Sequence, residues 1–484
     1  MARTRSNDLP ARLAAGAWGV VVLLTDLLPP RVRYGYVHRL TRRALARELP
    51  SLPRMAARAA SAESVAPAVD AAGATRCVLA ADSLDIGGIG SVIEALARGL
   101  AAHGVEPIVI APVPVGSGVG ARVQRLRDAG IRVIAADDEA SARQAILEVD
   151  PDVIQLHSAP PLLERAAIDS GRPLIPVMHN TEIHFTSVRW AAFSALMAAS
   201  VTGIAVSETV REFHLRHLED ASPIAVVPNG APAPRTPQPE DRQRARGELG
   251  RALSVDLGDD VVFLCLARYD AQKNATGLVA SFAAAVDSSP VPLRLVWAGD
   301  PSDWVELRRS DAVRRSGPAS DRIHLLGDSD ATALLAAADA FVLDSFFEGW
   351  PMAATEAAAS ALPLVLSDVG GARELVARDP DRSALVPNAS GPAELVSDAR
   401  VRTARWRSTR QLNAAALQTA VIEIARMVTS ERATGGRPAS AVPAPPGGDL
   451  GGLQTMLAGH AKIIRAAASR RDPERSDIDG IPAS

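Results

Sequence analysis

The sequence predicts an α/β protein built from two Rossmann-like domains facing each other across a cleft. From Arg76 onward, short apolar runs alternate with Ala- and Leu-rich runs of helical period. That rhythm is the β-α-β signature of a parallel, doubly wound sheet. A Pro-rich segment, Ala231 to Pro239, interrupts it, and the rhythm then restarts at Val261. Two similar halves on either side of a linker read as two domains. A chain of 484 residues is also too long for one hydrophobic core.

The elements follow in order. Leu13 to Thr25 is apolar, preceded by Arg3, Arg5 and Arg12 and followed by Asp26. The run is shorter than the roughly 20 residues of a spanning helix, and no small-x-small cleavage site follows it. Arg31 to Arg58 is Arg-rich with scattered apolar residues. Residues 1–73 thus form a helical extension, either packed on the body or lying on an anionic membrane surface. Domain one, residues 74–230, carries strands at Cys77–Ala81, Pro107–Ala111, Arg132–Ala135, Val153–Leu156, Leu174–Met178, Gly203–Val206 and Ile224–Val227. Helical stretches such as Ser91–Ala102 and Ser141–Glu148 separate them. Domain two, residues 231–430, repeats the pattern at Val261–Leu266, Leu293–Trp297, Ile323–Leu326, Ala340–Leu343, Leu364–Leu366 and Ala384–Val386, then closes with a helix over Gln411–Val428. Residues 431–484 hold a Gly/Pro/Ala-rich stretch, Thr434 to Gly448, expected to be disordered, and a helix over Leu450–Arg470.

Composition narrows the function. With 47% hydrophobic and 22% charged residues the chain is of ordinary globular type. A net charge of −3 argues against nucleic acid as a partner. Cys77 and Cys265 both fall in strand-like apolar runs, which suggests a reducing compartment, hence a cytoplasmic protein, peripheral to the membrane at most. No Cys/His cluster has zinc spacing.

Two pairs of residues carry chemistry. Glu348 and Glu356 bracket Gly349-Trp350-Pro351-Met352-Ala353-Ala354, a loop opening into a helix after the Ala340–Leu343 run. The helix start at Pro351, Met352, Ala353 and Ala354 offers unpaired N–H groups to a pyrophosphate. The carboxylates would repel phosphate and instead suit hydroxyl groups on either side of it. A pyrophosphate with hydroxyl-rich groups at both ends is a nucleoside diphosphate sugar. The second pair is Arg268 and Lys273. The chain has 52 Lys and Arg together, yet its lysines are Lys273 and Lys462 alone. A lysine kept in an arginine-rich chain points to a task for a compact ammonium, such as a phosphate oxygen. Both cations follow the strand Val261–Leu266, where open α/β sheets bind ligands. The competing reading is a solvated surface charge for each cation and an ordinary helix acid for each carboxylate.

Gly87-Gly88-Ile89-Gly90 follows the first strand. A dinucleotide fingerprint would need glycine at Ile93 and an acid after the second strand, and neither is present. A backbone that lets a ligand approach closely remains the reading. His179 ends the strand Leu174–Met178 in a polar loop with Asn180, Thr181, Glu182 and His184. A satisfied structural histidine is the competing reading. Asp328-Ser329-Asp330 matches a metal-binding Asp-x-Asp pattern, but a helical run begins at once, so it reads as a helix cap and no metal is required.

Arg268-x4-Lys273, then Glu348-x7-Glu356, with Gly87–Gly90, Met178-His179-Asn180, Val227-Pro228-Asn229-Gly230 and Asp368–Glu374 in order, resembles the retaining glycosyltransferases of family 4. The resemblance covers Arg76 to Met427 and implies a GT-B fold. It implies transfer of a sugar from a nucleoside diphosphate sugar to an acceptor hydroxyl with retention, in glycan, glycolipid or glycoconjugate synthesis. It places His179 beside the transferred sugar and Gly88 near the donor phosphate and acceptor. Leu326 and Gly327 fall near the base, Glu348 near the sugar hydroxyls, and Glu356 on the ribose. The chain departs from the family at Ala361, where relatives often carry Gly, and at Arg373. The alternatives are a non-catalytic sugar-nucleotide-binding or scaffold protein, or a sugar phosphorylase or epimerase.

Overall fold

A computed structural model of the chain describes residues 8–29, 32–33, 37–53, 73–85, 87–112, 120–219, 223–232, 239–434 and 452–471. Arg3, Arg5, most of the Pro-rich linker, Gly435–Gly448 and the last polar residues lie outside the described residues. The chain folds as two compact units. One comprises Met1–Ala57, Glu182–His184 and Ala233–Gly451; the other comprises Arg58–Thr181, Phe185–Pro232 and Gly452–Ser484.

The second unit is built on a seven-stranded parallel sheet of order β3-β2-β1-β4-β5-β6-β7. Its strands are β1 Thr75–Ala81, β2 Val105–Ala111, β3 Val133–Ala135, β4 Val153–His157, β5 Leu174–Met178, β6 Gly203–Ala205 and β7 Ile224–Val226. The expected strands are all present. β1 and β2 each start two residues earlier than the apolar pattern. Their added polar residues, Arg76 and Glu106, lie in register with each other at strand starts that water reaches. Helices on both faces bury β4 and β5 along their whole length, which is why such strands read as unbroken apolar runs.

The helix expected over Ser91–Ala102 instead spans Gly87–Gly99 and gives way to a 3-10 turn, Leu100–His103. The glycine run is thus the helix's first turn rather than a loop before it. A Cβ on Gly90 would stand 1.9 Å from the Leu84 carbonyl oxygen, so the glycine lets the helix press onto the preceding chain. The C-terminal helix, Leu453–Ala468, belongs to this unit and packs on β1, β2 and β4.

The other unit is built on a six-stranded parallel sheet of order β10-β9-β8-β11-β12-β13. Its strands are β8 Val261–Leu266, β9 Leu293–Ala298, β10 Ile323–Leu326, β11 Ala340–Leu343, β12 Leu364–Ser367 and β13 Ala384–Val386. The long helix after them runs Ala414–Ala433. In both sheets the order reverses beside the first strand of the unit, the point where open α/β sheets bind ligands.

The N-terminal segment packs on this unit. Helix Asp8–Asp26 and helix His38–Leu45 both lie on helix Trp304–Arg315. Asp26 is buried among Arg33, 3.1 Å away, and Arg405, 2.5 Å away. One expectation needs correction here. The apolar run Leu13–Thr25 was too short to span a bilayer, but the helix containing it has 19 residues, about 28 Å at about 1.5 Å per residue. Leu9–Asp26 is long and apolar enough to cross a membrane by length and composition. The run alone understated the helix because a first turn, Asp8–Arg12, precedes it and Asp26 closes it, and the polar residues there fall outside the apolar pattern.

Candidate functional site

In the six-stranded unit, the predicted residues converge on the C-terminal ends of β8, β10 and β11. The loop after β8 is pinned from below. Tyr269 is fully buried and its hydroxyl donates to the carbonyls of Trp297 (3.0 Å) and Leu326 (2.8 Å). Asp270 Oδ1 accepts from the backbone N–H of Gln272 (3.0 Å) and Lys273 (3.2 Å). This turn leaves Arg268 half exposed, paired to Asp270 at 3.1 Å, and turns Lys273 inward.

Lys273 forms an ion pair with Glu348, which is 5% exposed. Glu348 also accepts from Ser345 Oγ (2.6 Å) and Gln272 Nε2 (3.2 Å). The sequence suggested separate phosphate and sugar tasks for these two charges. In the structure they are one unit, and a buried carboxylate of this kind needs such a partner.

Helix Met352–Ala359 begins behind Glu348 with Pro351 as its N-cap. No side chain caps it, so its first N–H groups stay available to an anion. Ala354 is buried, while Met352 and Ala353 are half-buried at this end. Trp350 Nε1 donates to Thr355 Oγ1 at 2.8 Å and ties the loop to the helix. Gly370, at φ +52°, lets its backbone pass close under the same loop: a Cβ there would meet the Gly349 carbonyl at 2.4 Å. Glu356 sits one turn further along, half-buried, and burial pushes its carboxyl above the usual range.

Leu326 and Gly327 lie at the end of β10, as expected, but their backbone groups are engaged. The Leu326 carbonyl takes the Tyr269 hydroxyl, and the Gly327 N–H donates to Pro50 at 2.8 Å. Residues near Leu52 continue the contact, with Asp330 N–H on the Leu52 carbonyl at 3.0 Å. Asp330 caps helix Ala331–Ala337 through Ala333 N–H at 3.1 Å, the role expected for the Asp-x-Asp segment. Among the described residues no group of three His, Cys, Asp or Glu could hold a metal ion.

In the seven-stranded unit, His179 follows β5 and is 6% exposed. Gly88 is exposed on the first turn of its helix. Both lie just beyond the C-terminal ends of strands, β5 and β1.

Two stretches of the chain match known families. Residues 86–233 match the family described as Glycosyltransferase Family 4, and residues 260–400 match Glycosyl transferases group 1. The chain belongs to the family 4, group 1 glycosyltransferases.

Curated relatives are distant. The chain is 26% identical over 233 residues to a Bacillus subtilis protein named for teichuronic acid biosynthesis, the glycosyltransferase TuaC. That match covers 46% of this chain and 55% of TuaC, so the chain spans about half of that relative. It is 27% identical over 337 residues to glycogen synthase of Mycobacterium tuberculosis, covering 60% of this chain and 77% of that one. Among solved structures, HepE of Anabaena in complex with UDP and glucose superposes with a TM-score of 0.56 at 17% identity, over 84% of this chain and 100% of that one. A glycosyltransferase from Rickettsia africae ESF-5 gives 0.57 at 16%, over 81% and 98%. The fold is GT-B.

Several buried polar residues packed against these strand-end residues were not singled out by sequence. Asp344, directly after β11, is fully buried and accepts from Asn274 (2.9 Å), Gln411 (2.8 Å) and Asn413 (2.8 Å). With no cation among these partners, burial pushes its pKa up to about 6. It knots the loop carrying Lys273 to the segment after helix Asp398–Trp406. An acid directly after four apolar strand residues was the available signal. Gln155 and His157 on β4, and His460 on the C-terminal helix, lie buried beside His179. Their alternation on β4 looked like ordinary strand, and the nearness of His460 comes only from folding.

Proposed function

We propose that the chain is a retaining glycosyltransferase that transfers a sugar from a nucleoside diphosphate sugar to an acceptor hydroxyl, in glycan, glycolipid or glycoconjugate synthesis. The observation that carries this reading is the Lys273–Glu348 pair set before an uncapped helix N-terminus, with Glu356 behind it. The complexes of Anabaena HepE with UDP and with UDP-glucose support a donor of that class.

In this mechanism the bond from the anomeric carbon to the β-phosphate oxygen breaks, and negative charge collects on the departing diphosphate. Lys273, Arg268 and the N–H groups at Met352 and Ala353 stabilise that charge. Ser345 and Gln272 hold Glu348 for the sugar hydroxyls, and Glu356 accepts from the ribose. His179 contacts the transferred sugar. The acceptor hydroxyl attacks on the face the leaving group vacates, and its proton passes to the departing phosphate oxygen. No step uses a metal, so transfer should survive EDTA.

A thermal-shift screen over nucleoside diphosphate sugars tests the reading, because a ligand bound only by the folded state raises the midpoint. A rise with one donor class, followed by sugar transfer from it, supports the proposal. No shift with any donor favours the scaffold reading.

We also assign the enzyme to the cytoplasm, at the inner face of a membrane. Helix Asp8–Asp26 directs Leu9, Leu13, Val20 and Leu24 outward, and Leu27 follows in the next turn, each at least 55% exposed. Beside it on the same supporting helix, Arg39, Arg42 and Arg43 are exposed. An apolar stripe next to a basic one suits the surface of anionic lipid.

A further inference from the structure

His179 does not stand alone. Its Nε2 lies 2.9 Å from Nδ1 of His157. The other nitrogen of His157, Nε2, lies 3.2 Å from Gln155 Oε1. The same oxygen lies 3.3 Å from Nδ1 of His460. Gln155, His157 and His460 are completely buried, and His157 stacks on His179 with ring centroids 5.1 Å apart. All four residues belong to the seven-stranded unit.

The direction of each bond follows from one atom. An amide oxygen only accepts, so both His157 Nε2 and His460 Nδ1 donate to Gln155. Burial holds all three rings neutral: His179 is pushed down to about 4, His460 to about 3, and His157 well below its ordinary value. A neutral imidazole has one N–H. His157 spends its proton on Gln155, so its Nδ1 is a lone pair. His179 must then supply the proton between them from Nε2, which leaves its own Nδ1 bare.

We infer that His157 is a positioning residue: held by Gln155, it fixes His179 in the Nε2–H form and so presents Nδ1 of His179 as an acceptor for a hydroxyl of the transferred sugar. This rests on the assignment of His179 to the sugar. The chemistry differs from that of a free histidine. A histidine able to choose its tautomer could receive or donate, and one able to charge could act as an acid. His179 here only receives at Nδ1, and so selects a ligand that offers an O–H at that point. The proton of the reaction therefore goes elsewhere, in keeping with its transfer to the phosphate.

The test reads the tautomer directly. Protein labelled with 15N-histidine gives long-range 1H–15N spectra, with His179 identified by the signal lost in His179→Gln. The expected result at pH 7.5 is a protonated Nε2 and a bare Nδ1. His157→Phe keeps a ring but removes the acceptor, and should convert His179 to a mixture of tautomers. His157→Asn puts an amide oxygen near the former Nδ1 and should restore the single form. Should His157→Phe not fold, Gln155→Leu removes the fixing oxygen one step back and gives the same readout. A protonated Nδ1 on His179 in the native protein, the result of an inverted Gln155 amide, overturns the proposal. So does a tautomer that ignores both substitutions. A second measurement keeps this failure apart from failure of the sugar assignment. UDP-glucose, GDP-mannose and ADP-glucose are compared with UDP, GDP and ADP. A His179 signal that moves with a sugar nucleotide but not with its diphosphate supports the contact. A signal unmoved by all six overturns the assignment to the sugar while the tautomer inference stands.

Discussion

At the scale of single residues, the proposed site holds its charges in place by pairing them with each other. Lys273 and Glu348 neutralise each other while buried, so each substitution has two effects. Lys273→Ala removes leaving-group stabilisation and strands a buried carboxylate. Transfer should fall on the order of 10²-fold or more, and the melting midpoint should fall with it. Arg268 is half exposed, so Arg268→Ala should cost comparable transfer with little change in midpoint. Turnover assays beside thermal melts separate the two, and near-normal turnover in both variants would remove these cations from the mechanism.

Glu356 behaves in the opposite way. Its carboxyl is raised by burial, so the folded state holds it charged at neutral pH at a cost. Glu356→Gln should therefore leave the midpoint unchanged or higher and still weaken binding of the nucleoside diphosphate. Calorimetry with UDP, GDP and ADP beside a melt checks both; unaltered affinity would move Glu356 off the ribose.

Asp344 and the buried histidines respond oppositely to pH, and the six-stranded unit holds one of each, because burial also pushes His324 on β10 down to about 4. Asp344 titrates near 6 when folded and about 3.8 unfolded, so between these values the folded state holds a proton the unfolded state has lost. Its contribution to stability falls as pH rises through that window. His157, His179 and His460 have depressed folded values, so the unfolded state takes up protons first as pH falls below about 6.5. Each then costs up to about 1.4 kcal/mol per pH unit. On acidification from pH 7 to 5, amide protection, taken relative to the intrinsic exchange rate at each pH, should fall in the seven-stranded unit before the six-stranded one. Asp344→Asn should make the latter more sensitive to acid, because the opposing contribution of His324 then acts alone, and the reverse order of loss would show the histidines are not held neutral.

At the scale of elements, one turn carries backbone strain. Ala361 has φ +56°, the left-handed region that favours glycine. Alanine there costs roughly 1–2 kcal/mol of backbone strain. Glycine returns part of that through its looser unfolded chain, roughly 0.4–1 kcal/mol. Ala361→Gly should therefore stabilise by a few tenths to about 1 kcal/mol, read from the midpoint of denaturant unfolding. A lower midpoint would mean the position is not strained. Turnover should be unaffected.

At the scale of the whole molecule, the termini are tied in by quite different forces. The N-terminal helix is anchored at Asp26 by buried guanidinium groups and exposes its apolar face. The C-terminal helix buries Met456, Leu457, Ala461 and Ile464 on the other sheet and delivers His460 to His157. Membrane fractionation should therefore recover the protein with the membrane at low salt and release it at high salt, as Arg contacts with anionic lipid are screened. A purely soluble protein would leave the exposed stripe without a membrane role. Release only by detergent would mean the helix spans, and would favour a lipid-linked acceptor.

The amino-acid sequence by itself determined the fold class, since parallel strands buried on both faces have to be apolar throughout and the helices between them have to be periodic. It also marked Arg268, Lys273, Glu348 and Glu356, because charges at strand ends stand out against that background. It misjudged the start of the helix at Gly87, where glycines that permit close packing look the same as glycines in a loop. The tertiary structure alone decided which charges neutralise each other, that Pro50 occupies the Gly327 N–H, and that His460 meets Gln155 across 305 positions. Periodicity reports how a residue faces its own element. Burial, pairing and tautomer depend on which distant side chain fills the space opposite, and only the packed chain holds that information.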